Sequence, residues 1–132
     1  MKILVAYDSG EPARRALSLA ADFAGRLKAT VDVVSVVPVH TGRAPMDPWD
    51  DPVLHAEQLA EAGRFLRAQG IEPSLIRRFG EPSRVIEEVA AEGAYDLVVV
   101  GSRGLGSVGR FFQGSVSEHV ATHSPTTVLI AR

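Results

Sequence analysis

DLVVVGSRGLGSVGRFFQGS (96–115) passes from an apolar run into a stretch with five glycines between Gly101 and Ser115 and no acidic side chain. DLVVVG (96–101) has the unbroken β-branched character of a strand covered on both faces. A short helix is expected over roughly 114–123, and TTVLIA (126–131) reads as a last strand. The same alternation runs back to the N-terminus. KILVAY (2–7), VDVVSVV (31–37) and SLIRRF (74–79) read as strands, with Pro73 placing the third at a sheet edge. Between them lie helical patterns over 12–27, 54–69 and 82–93. Pro12 and Pro82 suit first turns, while Gly70 and Gly93 mark helix ends. The order is βαβαβαβαβ. It predicts a single α/β domain over residues 1–132, an open, five-stranded, mostly parallel sheet with helices on both faces.

Composition sets the outer limits. One domain fits 132 residues, and 45% apolar with 23% charged residues is ordinary for a soluble globular chain. A formal net charge of -2 argues against nucleic acid as the main partner. The chain has no cysteine, which excludes disulfides and thiolate chemistry. The N-terminal apolar run is too short for a signal peptide, and no stretch approaches the roughly 20 apolar residues of a membrane span. A cytoplasmic protein is expected, with no membrane partner.

Ligands of open parallel sheets sit beyond the carboxyl ends of the strands, where strand order reverses. Asp8, Val37 and Gly101 fall at or near those ends. Two glycine spacings compete there. GLGSVG (104–109) matches the dinucleotide fingerprint, but it starts several residues after the strand and RFFQG follows it instead of a helix. The acid expected about 20 residues later would fall near Leu129 or Ala131, so this match is incidental. A Walker A loop needs a lysine, and the only lysines are Lys2 and Lys28. A receiver domain would need a late lysine as well. A flavin-phosphate loop at DSGEP (8–12) would set Asp8 and Glu11 against phosphate.

The longer spacing is Gly101-x2-Gly104, nine residues, then Gly114-Ser115. It has a mechanism. Glycines admit close approach of the backbone, and Gly114-Ser115 opens a helix whose free N–H groups favour an anion. Ser115 and Ser117 add hydroxyls, and Arg103 and Arg110 add positive charge. The expectation is a polyphosphate cradle built from amides.

This signature, G-x2-G-x9-G-[ST] over Gly101–Ser117, resembles that of the universal stress protein family. ILVAYD, VVSVV, FGEP, DLVVVGSRG and PTTVLIA agree with it along nearly the whole chain. The resemblance implies a Rossmann-like fold of the adenine nucleotide α-hydrolase type and a nucleotide-dependent stress or regulatory module. It implies ATP, with Mg²⁺, near Ala6, Tyr7 and Asp8 after the first strand and at the Val36 backbone. Val100 would flank the base, and Gly101, Arg103, Gly104, Gly114, Ser115, Val116 and Ser117 would surround ribose and phosphates. It also implies a homodimer through the last strand (128–131). The chain departs from the common pattern in reading Asp8-Ser9-Gly10, where many members have Asp-Gly-Ser. An ATP-using enzyme and a nucleotide-free interaction module are the alternatives.

Other candidates rank lower. His119 and His123 are spaced to chelate a metal but read as surface histidines lacking an acidic partner. Asp47, Asp50 and Asp51 around Trp49 read as a solvated acidic loop. Asp8 could be a helix cap, and Glu87 and Glu88 look like a solvated helix face. No nucleophile–base arrangement can be assembled, and nothing in the sequence requires catalysis.

Overall fold

The computed structural model describes residues 1–39, 51–102 and 114–132, with 114–117 given by their backbone alone. The elements are β1 (Lys2–Ala6), α1 (Glu11–Leu27), β2 (Thr30–Val37), α2 (Pro52–Ala68), β3 (Leu75–Phe79), α3 (Pro82–Glu92), β4 (Leu97–Gly101), α4 (Gly114–His123) and β5 (Thr127–Ala131). The five strands form one sheet in the order β3-β2-β1-β4-β5, and every pairing is parallel. This is the expected α/β architecture, with both β3 and β5 at edges.

Alternation along each strand sends side chains to two separate cores. Ile3, Val5, Val31, Val33 and Val99 pack with α1 and α2 through Ala16, Ala20, Leu59, Ala62 and Leu66. Leu4, Ala6, Val34, Val36, Val98 and Val100 pack with α3 and α4 through Val85, Ile86, Val89 and Val120. The central strands therefore bury both faces, which is why their sequences show no polar alternation. Ala13, Ala16, Ala20 and Ala24 line the buried side of α1 and let it lie close to the sheet. Leu27, the last residue of the predicted helical pattern, is exposed at the helix end.

Asp32 is the charged residue in β2, and its surroundings explain it. Its Oδ2 accepts a 2.6 Å bond from the Tyr95 hydroxyl, and its Oδ1 accepts from the Ser74 N–H at 2.8 Å. One carboxylate thus ties β2 to the segments entering β3 and β4. Helix α2 begins at Pro52, earlier than the apolar pattern predicts, because the Asp51 side chain caps it by accepting from the Val53 N–H at 2.9 Å.

Candidate functional site

Strand order reverses between β1 and β4. From β1 the chain leaves to α1 on one face, and the segment after β4 leads to α4 on the other. The crevice between their carboxyl ends is where this fold class places ligands. Asp8 stands there, two residues beyond β1 and 3% exposed. Its Oδ1 accepts a 2.9 Å bond from the Gly10 N–H, while its Oδ2 is buried with no hydrogen-bond partner among the described residues. Asp8 is not the cap of α1; Gly10 holds that position, and Asp8 closes a side-chain turn ahead of it. Ser9 takes φ 63° to allow this turn. A glycine would take this conformation more readily, so the Asp-Ser-Gly order carries some local strain.

Burial pushes the Asp8 carboxyl up from the usual 3.8 to about 6, against the opposing pull of the Gly10 N–H. A carboxylate oxygen left buried without a donor is costly in an otherwise well-bonded fold. The arrangement suits a ligand that brings a hydroxyl or amino hydrogen to Oδ2.

The neighbours of Asp8 divide by sheet face. Ala6, Val36 and Val100 pack in the same core cluster beneath α3 and α4, each no more than 4% exposed. Only their backbones at the strand ends remain to meet a ligand. Tyr7 turns the other way, into the α1–α2 core, with its hydroxyl 3.4 Å from Glu61 Oε1. Burial raises the Tyr7 pKa, so its hydroxyl stays protonated. Gly101 ends β4 where a Cβ would meet the Pro12 carbonyl carbon at 2.7 Å and the Ala13 nitrogen at 2.9 Å. Its bare backbone is therefore required by helix α1, a packing role that the glycine signature alone does not disclose. Helix α4 begins at Gly114, as the signature predicts. Arg103, Gly104 and Arg110, and the acidic loop with Asp47, Trp49 and Asp50, lie outside the described residues. The side chains of Ser115, Val116 and Ser117 do as well.

Sequence reasoning missed a buried polar pair on the α2 side. His55 is 2% exposed and its Nδ1 lies 3.0 Å from the hydroxyl of Ser35, which is fully buried in β2. The signal was available: His55, Leu59, Ala62 and Leu66 share one face of α2, so the position belongs to the core. Two further readings change on α3 and α4. Glu87 is not simply solvated; its Oε1 is buried and lies 3.8 Å from His119 Nε2, which gives that histidine an acidic neighbour. Glu88 is exposed and paired with Arg84. The His119 and His123 rings stack at 4.2 Å. Among the described residues no group of three His, Asp or Glu side chains could hold a metal ion.

The model of the universal stress protein family matches residues 1–132. The chain belongs to the universal stress protein family. A universal stress protein from Thermus aquaticus, named for its place 3′ to a sulfhydrylase gene, is 33% identical over 98% of this chain and 97% of its own length. The universal stress protein UspA from Lactobacillus plantarum superposes with a TM-score of 0.75 and 28% identity, covering all of this chain and 97% of that one. A universal stress protein from Archaeoglobus fulgidus, solved in complex with dAMP, has a TM-score of 0.72 and 27% identity, covering all of this chain and 98% of that one. The five-stranded parallel sheet is thus the sheet of the universal stress proteins. Among the described residues, no helix is long and apolar enough to cross a membrane.

Proposed function

We propose that this chain is a nucleotide-binding regulatory module that takes ATP in the crevice between β1 and β4. The observation that carries this reading is the Oδ2 of Asp8, buried and unpartnered among the described residues at the point where strand order reverses. Two facts support it. Helix α4 starts at Gly114, so its free N–H groups follow the glycine segment as an anion site requires. A relative of the same fold is held with dAMP. Asp8 would accept from a ribose hydroxyl or the adenine amino group, and the backbone at Val36 and Val100 would border the base. Gly104, Gly114, Ser115 and Ser117 would surround the phosphates, with Arg103 adding positive charge.

Mg²⁺ fits this scheme as a companion of the phosphates, since it prefers phosphate and water oxygens to dedicated cages of side chains. It would supply charge neutralisation. The chain would pair with a second copy through β5, a strand without charged residues whose Ile130 is 39% exposed.

Isothermal titration of the purified, nucleotide-stripped protein with Mg-ATP, ATP alone, AMP and a cyclic nucleotide tests the assignment. Saturable binding of Mg-ATP that weakens for AMP supports a triphosphate site. Equal or tighter binding of AMP restricts the site to a monophosphate, and no heat with any of them refutes nucleotide binding. Gly114→Val, which sets a branched side chain at the start of α4, should abolish the signal.

A further inference from the structure

The sheet has a second open edge, and its chemistry differs from that of β5. Among the described residues strand β3 pairs only with β2, through the register Val33↔Leu75 to Val37↔Phe79. At its two ends the Ser74 carbonyl accepts from the Val33 N–H, and the Gly80 N–H donates to the Val37 carbonyl, both at 3.0 Å. In a parallel ladder alternate residues bond to the same neighbour. Ser74, Ile76, Arg78 and Gly80 therefore face β2, and the backbones of Leu75, Arg77 and Phe79 face the open side.

The side chains along this edge are basic and apolar. Arg77, Arg78 and Phe79 are exposed, Phe79 by 52%. The Arg77 guanidinium lies 5.6 Å from the Phe79 ring centre and 3.5 Å from the Pro52 carbonyl, and no carboxylate pairs with it among the described residues. Arg78 reaches Glu92 only at 3.9 Å, with both side chains exposed, so that pair is weak and replaceable. Val53, at the start of α2, is 62% exposed. A chain of net charge -2 thus concentrates two arginines and an aromatic ring on one edge strand.

We propose that the β3 edge binds an extended acidic peptide of a partner protein, which adds to the sheet as a sixth strand. Main-chain groups at Leu75, Arg77 and Phe79 would pair with it. Alternate peptide side chains would place a carboxylate against Arg77 and an apolar group against Phe79, with a second carboxylate against Arg78 on the opposite face. A second copy of the same edge is disfavoured, because arginines facing arginines repel.

The test uses the full-length protein labelled with ¹⁵N and three short synthetic peptides. One carries two adjacent glutamates followed by phenylalanine, flanked by valines, one replaces each glutamate by lysine, and one carries proline at alternate positions to remove the pairing N–H groups. The acidic peptide should shift the amides of Leu75, Arg77 and Phe79 and slow their hydrogen exchange, while the other two do not. In Arg77→Glu/Arg78→Glu, affinity for the acidic peptide should fall about tenfold and the lysine peptide should bind instead, a gain that misfolding cannot produce. The proposal is overturned if the acidic peptide gives no shifts at about 1 mM. Binding that survives proline, or shifts centred away from β3, overturns it as well. A nucleotide-free sample serves equally, so a failure here is separable from a failure of the ATP assignment.

Discussion

Replacing Asp8 by Asn separates the proposed binding role of this residue from its effect on the fold. Burial raises the Asp8 pKa from 3.8 to about 6. Between those values the folded protein holds a proton that the unfolded chain has released, so stability falls as pH rises through about 6. At about 1.4 kcal/mol for each pKa unit, the ionised carboxylate costs the empty protein roughly 3 kcal/mol above that pH. Asparagine has no charge to desolvate, and its carbonyl oxygen can still accept from the Gly10 N–H. The variant should be more stable than the parent by roughly 2 kcal/mol at pH 8, once some loss of charge-assisted bonding is subtracted. Near pH 4 the two should converge. Urea denaturation of nucleotide-free protein at pH 4, 6 and 8 measures this, and titration with Mg-ATP should show a roughly ten- to hundredfold weaker site. A variant destabilised at pH 8, or a parent whose stability rises between pH 4 and 8 relative to the variant, would refute the reasoning.

Three further outcomes are expected. Gly101→Ala sets a Cβ against the backbone of Pro12 and Ala13 and should cost roughly 1–3 kcal/mol, read as a lowered melting temperature; an unchanged value would show that α1 can move aside freely. His55→Ala should cost roughly 2–4 kcal/mol, and a double-mutant cycle with Ser35→Ala should return a coupling near 1 kcal/mol; additive effects would mean the 3.0 Å contact contributes nothing. Tyr95→Phe removes the donor to Asp32 and should cost about 1 kcal/mol by chemical denaturation, with nucleotide binding unaltered because the pair lies at the other end of the strands.

The fold was legible because its strands are buried on both faces. Apolar runs of four to eight residues between proline-opened helices leave few other arrangements, and element ends fell within a residue or two of expectation. The start of α2 was less clear, since Asp51 and Pro52 look equally like loop residues until the cap is seen. At the site, the crevice and Asp8 followed from topology. The role of Gly101 did not, because a glycine that admits a ligand and one that admits a helix look the same in sequence. The Ser35–His55 contact joins residues 20 apart on different elements, and pairings of that kind appear only when the chain is folded. Glu87 was misread for a related reason: helical spacing reports which side of α3 it lies on, not that α4 covers it.

The unlike chemistry of the two outer strands also bears on how far such sheets can grow. A parallel sheet with identical edges could stack head to tail, β5 of one molecule against β3 of the next, and extend into an open fibre. Here that junction would press the uncharged TVLIA strand against Arg77 and Arg78 and strip water from both guanidinium groups. Two arginines in a five-residue strand thus weigh against that junction.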